Sequence, residues 1–234
     1  MRFEPIIKEH DGILVVRDDY IPGGTKRRFS DQLIKGYREV VYTSPVYGGA
    51  QIALAHAGKE VGVKVTIFCA KRKTPHARTL EAKRAGATII QVPYGYLSNV
   101  ISKAKAYCSD TGAHLLPFGL ETPLSFSEIA KVARQIQGTH SNITEVWCVG
   151  GSGVLSRSLQ LGFTSNVTFN VIQVGKSLDV SKMGNAKIYK HPLTFDKDSK
   201  IKPPFPSCSN YDAKEWEYVK KYGQGVPLFW NVMG

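Results

Sequence analysis

Long apolar runs, paired cysteines and acidic residues are what this chain has little of. No apolar stretch approaches the roughly 20 residues that a bilayer crossing needs. The opening Met1-Arg2-Phe3-Glu4-Pro5 has no signal-peptide hydrophobic segment, so a cytoplasmic location and no membrane partner are expected. Cys69, Cys108, Cys148 and Cys208 are dispersed without a Cys-x-x-Cys pair. Buried free thiols are therefore expected rather than disulfides or a metal site. The six histidines also lack metal-ligand spacing, and no metal is expected. The 19 Asp and Glu are outnumbered by 31 Lys and Arg, giving a net charge of +12 and a pI near 9.5. Basic clusters fall at Lys26-Arg27-Arg28, Lys71-Arg72-Lys73, Lys83-Arg84 and along Lys197 to Lys202. Such a field draws a phosphorylated cofactor, a polyanion such as nucleic acid, or both. No zinc-finger, helix-turn-helix or RNA-recognition signature accompanies it.

What is present is an α/β rhythm. At 234 residues with 42% hydrophobic content, the chain can bury a sizeable core, as one domain or two lobes. Strand-like Val40 to Thr43, Val63 to Cys69, Thr88 to Val92, His114 to Phe118, Glu145 to Val149 and Val167 to Val174 alternate with helix-like segments. Those helices span about Gly49 to Val61, Pro75 to Ala85, Ser98 to Tyr107, Ser127 to Gln137 and Leu155 to Leu161. The alternation predicts a mainly parallel twisted sheet flanked by helices. Gly175 to Asn210 lacks periodicity and reads as irregular; an amphipathic helix from Tyr211 to Tyr222 and a short strand, Val226 to Trp230, follow.

Two glycine motifs carry chemistry. Gly23-Gly24-Thr25-Lys26 places a lysine after a flexible turn, where its amine can form an imine with an aldehyde. Gly150-Gly151-Ser152-Gly153 links a strand to a helix, a turn whose N–H groups suit a phosphate. No Lys-Ser or Lys-Thr follows these last glycines, which excludes a Walker loop, and the dinucleotide fingerprint spacing is not met. Pyridoxal phosphate carries both an aldehyde and a phosphate, so one ligand satisfies both motifs.

The chain resembles the fold-type-II pyridoxal-phosphate enzymes, the tryptophan-synthase-β-like superfamily, in its aminocyclopropane-carboxylate deaminase and D-cysteine desulfhydrase flavour. Gly23-Gly24-Thr25-Lys26-Arg27-Arg28 resembles the segment whose lysine carries the cofactor. Gly150 to Gly153, with Val154, resembles the phosphate cradle, and Tyr211-Asp212-x-Lys214 with Leu228-Phe229-Trp230-Asn231 the closing helix and strand. The resemblance implies two lobes, 1–43 with 118–234 and 44–117, with the cofactor cleft between them. It implies Lys26 as catalytic residue, with Tyr47 and Asn231 joining Gly150, Gly151, Ser152, Gly153 and Val154 around the cofactor. It also places Ser44, Tyr47, Gly48, Gly49 and Gln51 near the substrate, and a homodimer as the assembly.

Departures accompany it. The segment Ser44-Pro45-Val46-Tyr47-Gly48-Gly49-Ala50-Gln51 lacks the family's asparagine. Val232 aligns with the residue that faces the pyridine nitrogen, and the chain is about a hundred residues shorter than typical members. The implied chemistry is elimination, deamination or decarboxylation of an amino-acid group, with Arg27 and Arg28 favouring a neutral Lys26 amine. Small bacteriophage relatives of the superfamily are associated with hypermodified thymine in DNA. That association implies an amino acid joined to a base as one substrate, beside a free small amino acid; a catalytically inactive homologue is a third reading.

Overall fold

The structure, a computed structural model, describes residues 3–93, 96–175 and 177–234. Met1 and Arg2 of the N-terminal stretch, and Lys176 of the segment read as irregular, lie outside the described residues. In chain order the chain begins with β1 (Ile7–His10), β2 (Ile13–Arg17), α1 (Arg27–Ile34), β3 (Glu39–Thr43), α2 (Ala50–Val61) and β4 (Lys64–Ala70). Next come α3 (Ala77–Arg84), β5 (Thr88–Val92), α4 (Leu97–Thr111), β6 (His114–Leu115), α5 (Pro123–Thr139) and β7 (Glu145–Gly150). The last elements are α6 (Val154–Gln160), β8 (Thr168–Gln173), β9 (Lys187–Lys190), α7 (Ala213–Tyr222) and β10 (Pro227–Asn231). They form two compact units, one of Met1–Thr25 with Pro123–Gly234 and one of Lys26–Thr122.

The first unit holds a six-stranded sheet in the order β1-β2-β10-β7-β8-β9. Only β1 and β2 pair antiparallel. They are joined by Asp11-Gly12, both at positive φ (53° and 75°), the conformation of a two-residue hairpin turn. The chain's last strand, β10, lies between β2 and β7, with Leu228 opposite both Leu14 and Val146. Ile13, Val15, Trp147, Val149, Ile172 and Phe229 line one face of the sheet, and Trp216 and Val219 of α7 pack on it. Successive strand residues point to opposite faces, so Val146 and Cys148 face the other side.

The second unit is a parallel sheet in the order β5-β4-β3-β6. Val41, Phe68 and Val92 pack on Val100 and Ala104 of α4. Helices α2 and α4 both stop at a left-handed glycine, Gly62 and Gly112 (φ 70° each), which no β-carbon obstructs. The Tyr42 hydroxyl accepts the Gly119 N–H at 3.3 Å, and burial pushes its phenol up to about 12.

The mainly parallel α/β class is as expected, but several boundaries differ. Residues 26–43 belong to the second unit rather than to the larger lobe, because β3 pairs with β4 and β6. The chain returns at Pro123 rather than near 118. The strand expected over His114 to Phe118 keeps only two residues, with Pro117 opening a 3-10 turn. Helix α5 begins at Pro123, four residues early, since proline suits the first helical position. The segment read as irregular contains β9, an edge strand with a lysine at each end. All four cysteines are free, and Cys69, Cys148 and Cys208 are buried. Among the described residues no helix is long and apolar enough to cross a membrane, and no His, Cys, Asp and Glu group is arranged to hold a metal ion.

Candidate active site

The first glycine motif is stapled to the carboxyl end of β10. Gly23 and Gly24 have φ of 90° and 70°, values that favour glycine. A β-carbon on Gly24 would fall on the Val232 carbonyl oxygen and sit 3.1 Å from Met233 Cβ. The Thr25 N–H donates to the Val232 carbonyl at 3.0 Å. Its hydroxyl donates to the buried Asp18 carboxylate at 2.7 Å and accepts the Trp230 indole N–H at 2.9 Å. These bonds fix the residue immediately before Lys26. Lys26 closes the 3-10 turn Gly24–Lys26, is half-buried, and its carbonyl accepts the Ser30 hydroxyl at 2.6 Å. Arg27 and Arg28 are buried, and Arg27 pairs with Asp31 one helical turn on.

The second motif ends β7, the strand beside β10. Gly153, at φ 81°, is the residue before α6, and a β-carbon there would lie 2.8 Å from Met183 Sδ. It offers no side-chain cap, so the first N–H groups of Val154 and its successors point into the turn without intrahelical acceptors. A β-carbon on Gly150 would meet Val171 Cγ1 at 2.8 Å, and one on Gly151 would meet the Tyr211 hydroxyl at 3.2 Å. Ser152 is half-buried. The backbone of Gly151 hydrogen-bonds the Tyr211 hydroxyl, while burial drives that phenol far above its ordinary range. At Gly150 and Gly153 the absence of a side chain is required by the chain's own packing against Val171 and Met183.

Around these turns stand acidic groups that the sequence reading took as structural or passed over. Asp212 is fully buried and its carboxylate accepts the Met233 N–H at 3.0 Å. Glu215, on the first turn of α7, is fully buried, and neither carboxylate oxygen meets a hydrogen-bond donor. Burial, reinforced by Asp212, holds its acid well above the usual carboxylate range. The same burial, with Glu215 nearby, raises the Cys148 thiol. The signal available in sequence was Tyr211-Asp212 directly before an amphipathic helix. Asn231, fully buried, spends its amide N–H groups on Asp19 and the Pro206 carbonyl, each at 2.8 Å, leaving only Oδ1 unpaired. Val232, aligned in sequence with a ring-nitrogen partner, packs its side chain against the core instead and serves through its carbonyl.

The expected substrate residues gather in the second unit, on the loop entering α2. The Ser44 hydroxyl donates to the Pro45 carbonyl at 2.9 Å and is buried. The Gly48 N–H donates to the same carbonyl at 2.8 Å, and Gly49 is the residue before α2. Gln51 is fully buried and turns back on the loop, its amide donating to the Val46 and Gly48 carbonyls at 3.1 and 3.0 Å. Its Oε1 meets no donor. Gln51 therefore shapes the loop as well as opening the helix. The Tyr47 ring stands edge-on to His76 at 4.9 Å, with the Arg72 guanidinium 5.8 Å from its centroid, and the Tyr47 carbonyl accepts from Arg78.

No protein-family model and no curated protein matches the chain. Solved structures do. An ACC deaminase homologue is similar over 99% of this chain and 89% of its own, at 16% identity and a TM-score of 0.83. An O-acetylserine-dependent cystathionine β-synthase from Helicobacter pylori matches 98% of this chain and 93% of its own (15% identity, TM-score 0.70). Diaminopropionate ammonia lyase from Escherichia coli, in apo form, matches 95% and 77% (13% identity, TM-score 0.69). At these identities the likeness is one of architecture, and it spans nearly the whole chain. The chain has the fold of the fold-type-II pyridoxal-phosphate enzymes, which its sequence resembles.

Proposed function

We propose that this protein is a pyridoxal-phosphate-dependent lyase or deaminase acting on an amino-acid group, with Lys26 as the cofactor-bearing lysine. One observation carries the reading. The turn that ends in Lys26 and the Gly150–Gly153 turn lie at the carboxyl ends of adjacent strands, β10 and β7. Neighbouring strands are about 4.8 Å apart, and ligands of such sheets bind beyond the carboxyl ends of strands. The residues present fit the cofactor: the first N–H groups of α6 follow the Gly150–Gly153 turn without a side-chain cap, and Tyr211 flanks Gly151. Gly150, Gly151, Ser152, Gly153 and Val154 would hold the phosphate.

When bound, pyridoxal phosphate supplies an electron sink for charge developing at a substrate α-carbon. The chain's own part is to position and to move protons. Lys26 takes or returns the proton at the α-carbon, as a positioned amine does in general acid–base catalysis. The Gly49 N–H, on the loop that Ser44, Gly48 and Gln51 shape, would bind the substrate carboxylate. Tyr47, on the same loop, is kept as a candidate for the cofactor and substrate side of the site. Asn231 is assigned to the cofactor side as a rigid anchor, through its remaining acceptor Oδ1.

The net charge of +12 favours a polyanionic substrate, and the resemblance to bacteriophage relatives suggests the finer reading in which the amino-acid group is carried on DNA, joined to a thymine base. The test is a cofactor titration of wild type and Lys26→Ala, followed by substrate screening. The expected result is a visible imine band that the variant lacks. Ammonia or another small product should then appear from modified DNA in preference to free amino acids. Turnover of free amino acids alone would leave the lyase reading and remove the DNA-linked substrate. No band in wild type at saturating cofactor would overturn the whole reading.

A further inference from the structure

A column of aromatic rings runs from Trp147, on β7 three residues before the Gly150 turn, to the surface of the first unit. Trp147, almost fully buried, stacks on Tyr189 with centroids 5.6 Å apart and planes 24° apart. Tyr189 in turn stacks on Tyr222 at 5.8 Å and 17°. Tyr218 closes the side of the column, T-shaped to Tyr189 at 5.8 Å. The outermost ring, Tyr222, is 43% exposed. It borders an open groove of about 600 Å³ lined by Ile201, Trp216, Glu217, Tyr218, Lys220, Lys221 and Tyr222. Offset stacks with centroids about 4.5–7 Å apart are favourable aromatic geometry, and this one ends without its next ring.

One cation stands at the outer ring, and others lie on the neighbouring segments. Lys187 and Tyr189 point to the same face of β9 by strand alternation. Lys200 and Lys202 flank Ile201, and Lys221 holds its ammonium 5.0 Å from the Tyr222 ring centroid. These four lysines are exposed, and none pairs with a carboxylate among the described residues. Of the nearby acids, Asp11 pairs with Lys220 at 3.0 Å, Glu145 accepts the Trp147 indole N–H at 2.8 Å, and Glu217, which also lines the groove, hydrogen-bonds His191 at 3.0 Å. Unpaired lysines alone are an ordinary solvated face. A ring column that ends open among them gives the face a ligand of matching chemistry, flat π-surfaces joined by anionic groups.

We propose that the β9–α7 face binds single-stranded nucleic acid, one base extending the ring column on Tyr222 while Lys187, Lys200, Lys202 and Lys221 neutralise its phosphates. An unpaired strand is required because only an unstacked base can join the column. Lys221 gives up the π face and moves its ammonium to a phosphate. The site stands apart from the cofactor reading and does not depend on it.

The test is fluorescence anisotropy of the full chain with labelled single-stranded oligothymidylate, the matching RNA, and a duplex, across a salt series. Either single strand is expected to bind more tightly than the duplex. Tyr222→Ala should weaken binding about 5- to 150-fold, as losing one stacked base does, while Tyr222→Phe stays within about twofold of wild type. Lys221→Ala should lower the log–log salt slope by about 0.7. Lys26→Ala should bind as wild type does, so failure of the enzyme reading leaves this result untouched. The proposal is overturned if no strand binds or if the duplex binds equally well. It is also overturned if Tyr222→Ala, folded by circular dichroism, binds normally, or if sedimentation shows the face occupied by a second copy.

Discussion

Replacing Gly24 by alanine tests the placement of Lys26 most directly. Two costs add. The residue sits at φ 70°, where a β-carbon costs about 1–2 kcal/mol. The new methyl also falls on the Val232 carbonyl, the acceptor of the Thr25 N–H, and losing that hydrogen bond removes about 0.5–1.5 kcal/mol. Together they come to about 1.5–3.5 kcal/mol, which for a domain of this size lowers Tm by roughly 3–14 °C. Gly12→Ala is the internal control. Gly12 has nearly the same φ, 75°, but nothing lies within 4 Å of its hypothetical β-carbon, so only the left-handed penalty of about 1–2 kcal/mol applies. Thermal melts by far-ultraviolet circular dichroism, with urea midpoints as a second readout, give both values. If Gly24→Ala costs no more than Gly12→Ala, the turn is not clamped against β10 and the positioning of Lys26 has been misjudged.

Two other perturbations probe the same edge of the sheet. Thr25→Val removes the hydroxyl that links Asp18 to the Trp230 indole; it should cost about 1–3 kcal/mol and lower cofactor occupancy at a fixed concentration, read from the visible band. Glu215 keeps its proton in the folded protein to a pH well above its ordinary 4.5, chiefly because of burial. Its contribution to stability is therefore complete below about pH 4.5 and is lost as pH rises through the raised value. Glu215→Gln should match wild type in urea midpoint near pH 4.5 and exceed it progressively as pH rises toward the raised value. Parallel profiles for the two proteins would show that Glu215 is not neutral in the fold.

The parallel core was readable because its strands are apolar on both faces: Val40, Val41, Val65, Ile67, Val146 and Val149 are all almost fully buried. The β1–β2 hairpin and β9 were not readable by that criterion. Lys187-Ile188-Tyr189-Lys190 is an edge strand with water at both ends, and edge strands carry charge rather than apolar alternation. In the candidate site, the glycine motifs were legible because positive φ and close backbone approach exclude other residues. Tyr211 and Asp212 were not, because what gives them a place is partners distant in sequence, Gly151 and Met233. Val232 shows the converse: alignment drew attention to its side chain, whereas its carbonyl does the positioning.

The pairing of β10 with β2 sets a condition on when the candidate site can exist during synthesis. Arg17 opposes Asn231, and Thr25 depends on Trp230 and Val232. Domains of a nascent chain assemble as their segments emerge, and the second unit is one continuous stretch, 26–122, complete long before the end. The first unit must hold its opening 25 residues in reserve until the final strand leaves the ribosome. Closing a loop of some two hundred residues costs only modestly more than closing a short one, so the delay is one of timing rather than of equilibrium. A chain stopped before β10 would leave Thr25 without its clamp and Lys26 without a fixed position.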